Sequence, residues 1–199
     1  MWLILALACN RGPQEPVHIE PIAEPSGPVD NGSATQRKAE GSAIVSAELA
    51  SKALGTTMRE RVGAAMREGG PLAAIPACQS DAATLTAAAG SKHVRVGRSS
   101  AKLRNPANAG PEWVQDWLQG NQDKRFKDVT GTSDIVDGEA RLIRPIQVEP
   151  SCLGCHGSHI DQATQTALTA AYPQDKATGY AAGDLRGAVW AIAQVQAAE

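Results

Sequence analysis

Aromatic residues are scarce in this chain. Only 4% of its 199 residues are Phe, Trp or Tyr, which is thin for a domain that must fill a core with bulk. Charge of one sign is missing too. Nineteen Lys and Arg stand against 21 Asp and Glu, for a net charge of -2 and a pI near 6.1, so the chain lacks the basic footprint of a nucleic-acid binder. Long apolar runs are also absent. The one run, at the start, is far shorter than the roughly 20 residues that span a bilayer as a helix. Cysteine and histidine number four each, so where they fall is informative. The length suits one domain with a proper core plus a tail or linker.

The opening "MWLILALACN" is a short apolar run ending in small residues before Cys9. It reads as the end of a bacterial lipoprotein signal peptide, with Cys9 becoming the lipidated N-terminus. Export follows, to the periplasm or to an outer-membrane anchor, and with it an oxidising compartment. The Pro-, Gly- and Glu-rich stretch after it has no apolar periodicity and reads as an extended tether. The expected organisation is a signal peptide over 1–9, a tether over 10–38 and a folded domain over 39–199. His18, inside the tether, has no assigned role.

From Arg37 to Arg67, Ala47, Leu54, Met58, Val62 and Met66 recur at helical spacing and predict one long amphipathic helix, ended by "EGG" at Glu68–Gly70. A second helix is predicted from about Ile75 to Gly90, because Pro71 and Pro76 suit a first turn but not a helix interior. "KHVRVGRSS" alternates as a strand, and a short helix follows over Pro111–Leu118. "GEARLIRPIQV" predicts a second strand and "HIDQATQTALTAAYP" a helix. "LRGAVWAIAQV" is apolar on both faces and predicts a strand inside a sheet. Helices come first and strands later, which favours an α+β domain with a small antiparallel sheet.

"CLGCH", Cys152 to His156, has the spacing for covalent attachment of c-type haem. Two thiols must reach two vinyl groups on one porphyrin edge, and the next residue must place an imidazole under the iron. At this content of Cys and His, the three residues would coincide by chance on the order of 0.002 times per chain. Zinc would want further strong ligands, usually a second CxxC or HxxxH pair, and the chain has neither. A thioredoxin-like dithiol would open a helix in a βαβ unit, and none is visible. A bound macrocycle would also supply the bulk that the aromatics do not.

With Cys9 lipidated or removed, and Cys152 and Cys155 in thioethers, Cys78 is left over. From spacing alone it is either the iron's sixth ligand, as a thiolate, or a small buried core residue. His93 competes for that position. His159 is too near His156 in sequence to reach the opposite haem face, and Met58 and Met66 read as core at their helical spacing. Arg95, Arg98, Lys102 and Arg104 cluster between the first strand and the loop after it. They are candidates for haem propionates, with a solvated basic face as the alternative.

Four blocks in order, "GGPLAAIPACQ", "VRVGRSSAKLRNPANAGPEW", "RLIRPIQVEPSCLGCHG" and "YPQDKATGYAAGDLRGAV", resemble a family of bacterial c-type haem domains with a PAS-like fold. These occur as stand-alone exported proteins and as sensing parts of membrane signalling proteins. The resemblance covers about Ser46 to Val195. It implies an α+β, PAS-like antiparallel sheet flanked by helices, one covalent haem c on Cys152 and Cys155, and axial ligands His156 and Cys78.

Ligation by histidine and thiolate fills both axial positions, so no enzymatic role is expected. Thiolate stabilises ferric iron and is easily lost on reduction, which suits a redox or diatomic-gas sensor. The alternative is an electron-transfer cytochrome c. The expected partner is a signalling or redox protein, with membrane contact only through the lipid anchor and a homodimer left open.

Overall fold

The structure, a computed structural model, describes residues 31–196. The expected signal segment, Cys9, His18 and most of the tether lie outside the described residues. Four strands, β1 (Val94–Ser99), β2 (Thr132–Val136), β3 (Glu139–Gln147) and β4 (Leu185–Gln194), form one antiparallel sheet in the order β1-β4-β3-β2. Last in sequence, β4 lies between β1 and β3. That is why its residues are apolar on both faces.

Helices cover both faces. The long helix α1 (Asn31–Pro76) lays Ala43, Ala47, Ala50, Leu54 and Met58, a 3–4 residue spacing, across Val96, Leu142, Val189 and Ala191. On the other face α3 (Glu112–Gln119) packs Val114 and Leu118 against Ile143, Ala188 and Trp190. The architecture is therefore α+β, an antiparallel sheet flanked by helices with a long helix leading in. Among the described residues no helix is long and apolar enough to cross a membrane.

α1 begins at Asn31, ahead of the domain start expected at residue 39. Residues 34–40 lack proline and are mostly good helix formers, and Gln36 donates to Glu40 one turn on. Its regular path breaks at Gly69 and Gly70, where the "EGG" signal predicts an end. Gly70 takes φ 67°, a left-handed value that glycine adopts without strain. Helical turns resume at Pro71. Ala65 then meets Ala74 and Ala77 across the bend, small enough to let the two segments close up.

The second predicted helix is not continuous. Pro76 has no N–H to bond backwards, and the next residues widen into a π-turn, Ala77–Asp81, before α2 (Ala82–Ala89) resumes. Cys78 sits on that π-turn.

Strand β2 was not among the predicted elements. It is an edge strand whose first three residues are exposed and polar. It joins β3 through Asp137–Gly138, both at positive φ, the Asp-Gly turn typical of a hairpin.

Candidate functional site

Strand β3 delivers the CxxCH segment. Past Gln147, the Val148 N–H donates to the Asp184 carbonyl and the Val148 carbonyl accepts from the Gly183 N–H, so the chain stays tied to the start of β4. Pro150–Cys152 makes a 3-10 turn and α4 (Leu153–His156) one helical turn. Cys152 and Cys155 are free thiols, half-buried on this compact corner. Burial pushes the Cys155 thiol up, against the pull of Arg104.

His156 is held on three sides. Its Nδ1–H donates to the Ala177 carbonyl at 2.7 Å. Its own carbonyl accepts from the Tyr180 N–H at 2.9 Å, and the Tyr180 ring meets the imidazole edge-on at 6.4 Å. Burial first, then Arg186 and Arg104, bring the His156 pKa down to about 2. The ring is therefore neutral, and with Nδ1 engaged, Nε2 carries the free lone pair that a metal needs.

Arg104 holds the loop that supplies Ala177. Its Nε donates to Asp175 at 2.9 Å, and its NH2 group donates to the carbonyls of Cys155 and Ala177. Asp175 in turn accepts from the Ala177 N–H at 2.7 Å. One guanidinium thus fixes both the attachment turn and the acceptor that orients the imidazole.

Cys78 arrives on a separate element, the π-turn Ala77–Asp81. Its segment is seated by Ile75 against Leu168 and Tyr172, the last lying just past α5 (Gln162–Ala171). Gln79 reaches the Ala171 carbonyl at 3.4 Å, and Asp81 pairs with Arg61 at 2.6 Å. Burial raises the Cys78 pKa, while Arg98, Arg104 and Arg186 pull it down. Those three arginines also act on His156, and the charge of Cys78 is felt at Cys155. Cys78 thus lies in the neighbourhood of Cys155, and the same arginines lie near both Cys78 and His156.

The other candidates fall elsewhere. His93 is exposed at the far end of β1, about 23 Å along the strand from Ser100, which borders the site. His159 is exposed, Met58 belongs to the core under α1, and Met66 packs at the α1 bend. Arg95 points away from Arg98 by strand alternation and faces Glu139 at 4.0 Å.

Sequence reading missed Arg186, Tyr172, Tyr180 and the Ala177 carbonyl. Arg186 is aimed by a bulge: β3–β4 register slips between Ile146 and Gln147, and Gly187 takes φ 155°. A Cβ at Gly187 would collide with the Ser99 carbonyl, so glycine is required there. The "LRG" inside the "GDLRG" block was the available signal.

Among the described residues no three His, Cys, Asp or Glu side chains gather as a metal-ion site. The donors are instead the two thiols of the attachment turn, one oriented neutral imidazole and the Cys78 sulfur nearby. These residue types fit a haem: Cys152 and Cys155 would hold it through thioethers, and His156 and Cys78 would be the residues able to donate to its iron.

The profile of the Tll0287-like family matches residues 33–193. The crystal structure of the cyanobacterial heme-protein Tll0287 is similar in fold, with a TM-score of 0.50 and 21% sequence identity. That match covers 87% of this chain and 100% of the other. No curated protein matches. Extending from the first turns of α1 into β4, the profile match establishes that the chain belongs to the Tll0287-like family.

Proposed function

We propose that this chain is an exported haem protein whose single haem c is bonded to Cys152 and Cys155, held at iron by His156 and Cys78, and used to sense redox state or a diatomic gas. When bound, the haem supplies an iron that exchanges one electron and takes two axial donors. His156 provides the constant donor, oriented by Ala177 and shielded by Tyr180. Cys78 provides the exchangeable one, because Sγ can bind as thiolate or take a proton and become a poor ligand. With both positions filled by protein, we assign no enzymatic activity. Lipidation at Cys9 would hold the protein at a membrane surface, where it would act through a signalling or redox partner.

One observation carries sensing over plain electron transfer: the two donors are held unequally. His156 is tied through the Arg104–Asp175 pair, whose side chains are 12% and 10% exposed. Cys78 sits on a π-turn whose ion pair, Arg61–Asp81, is 43% and 34% exposed. A firm donor facing a looser one is the two-state element a sensor needs.

The test is spectroscopy of protein matured in a host with cytochrome c assembly machinery. Loss of the thiolate signature and binding of CO after reduction are expected. Unchanged six-coordination in both oxidation states would transfer the assignment to an electron carrier. Colourless protein of unmodified mass would remove the haem.

A further inference from the structure

Among the described residues five arginines have a carboxylate within 4.0 Å: Arg61, Arg95, Arg104, Arg125 and Arg141. Arg98 and Arg186 are half-buried and have none there. The Arg98 guanidinium donates to the Met58 sulfur at 3.9 Å. Arg186 donates to Ser100 Oγ at 2.8 Å and stacks on Tyr180 at 5.4 Å, while Lys102 stacks on the same ring at 4.9 Å. A cavity of about 210 Å³ opens beside Arg186, lined also by Ser100, Lys102, Tyr180, Leu118 of α3 and Asp123. A guanidinium drawn partly out of water without a counterion gives up solvation that no partner replaces, so two of them together invite an anion that arrives with a ligand.

We propose that Arg98 and Arg186 are the receptors for the two propionates of the haem, an inference that rests on the haem reading above. The charges cancel, two cations to two carboxylates, and guanidinium pairs with carboxylate through two parallel hydrogen bonds. Both arginines lie near the candidate axial residues, since the charge of each is felt at Cys78 and at His156. Arg104 is not a receptor, because its donors are spent on Asp175 and two carbonyls. Arg95 is excluded by its exposure and its strand face. The Gly187 bulge acquires a purpose: the register slip leaves residue 186 without a cross-strand partner, so its side chain is released from the alternation of Ala188 and Trp190.

The experiment uses full-length holoprotein, read by the propionate bending bands in resonance Raman spectra and by the midpoint potential. Arg98→Leu and Arg186→Leu should each keep the covalent haem, shift those bands and lower the potential, because an uncompensated carboxylate favours ferric iron. Arg98→Lys and Arg186→Lys should fall between wild type and the Leu variants, and Arg95→Leu should match wild type. Unshifted bands in either Leu variant that still carries haem overturn the assignment. So does a shift confined to the thiolate signature, which would tie the arginines to Cys78. If the Leu variants do not fold, wild type decides alone. Propionates paired with arginine keep their bands unchanged through the ordinary carboxylic-acid range, and titration there overturns the proposal. Wild type that carries no haem by intact mass would instead sink the reading on which the proposal rests.

Discussion

Arg104 and Asp175 form an ion pair at 2.9 Å that is almost closed to solvent, and both partners also bind the backbone that orients His156. Removing one partner of such a pair leaves the other charge buried and alone. Arg104→Met is expected to destabilise the protein by about 3–5 kcal/mol. Urea unfolding monitored by circular dichroism measures this. Asp175→Asn should be similar in sign, and a loss under about 1 kcal/mol for both would show the pair to be incidental.

Cys78→Ala removes the exchangeable donor without touching the attachment turn. Covalent haem should be retained and the thiolate absorption lost. The midpoint potential should rise by a sizeable part of the roughly 0.8 V that axial ligation spans. Redox titration of wild type and variant gives the answer, and identical spectra would place the sixth ligand elsewhere.

His156 makes the unloaded chain acid-sensitive. Its folded pKa is depressed to about 2, so the unfolded chain binds a proton below its ordinary value of 6.5 while the folded chain does not. The stability this neutral ring contributes is whole above 6.5 and is lost as pH falls from 6.5 toward 2, at about 1 kcal/mol per pH unit. Unfolding of the unloaded protein between pH 7 and pH 5 should show a steeper loss than the same protein carrying His156→Gln. Equal slopes would mean the imidazole is solvated.

Gly187→Ala tests the bulge. A methyl group there meets the Ser99 carbonyl on the neighbouring strand, at a φ that L residues avoid. A loss of about 1–3 kcal/mol is expected, a fall of several degrees in melting temperature. A melting temperature equal to wild type would show that the backbone can take another path.

Much of this was legible along the chain, and the exceptions have physical causes. The helical stripe from Ala47 to Met58 and the two-faced apolar run of β4 are periodic signals, and periodicity reports which face is buried. Cys152, Cys155 and His156 fall within five residues, so the candidate motif is visible from spacing alone. Cys78 needed a resemblance, because nothing local says that a π-turn will carry it toward residues so far along the sequence. Arg186 was hidden by an extra residue that takes it out of regular pairing, and a period-two reading cannot anticipate that. Ala177 contributes a backbone oxygen, which leaves no side-chain signature. β2 was overlooked because an edge strand with polar outer residues carries a weak alternation, although Asp137–Gly138 announced the hairpin.

The break at Gly69 and Gly70 divides one continuous stretch into a girder and a short pawl. The girder is cemented to the sheet through its alanines and Leu54, while the pawl carries the sulfur and rests on Leu168 and Tyr172. Because the hydrogen-bond ladder is interrupted between them, the pawl is held to the girder through side chains, Ala65 on Ala74 and Ala77 and Arg61 on Asp81. Any shift of the sulfur would therefore load small, separable contacts instead of bending a rigid rod.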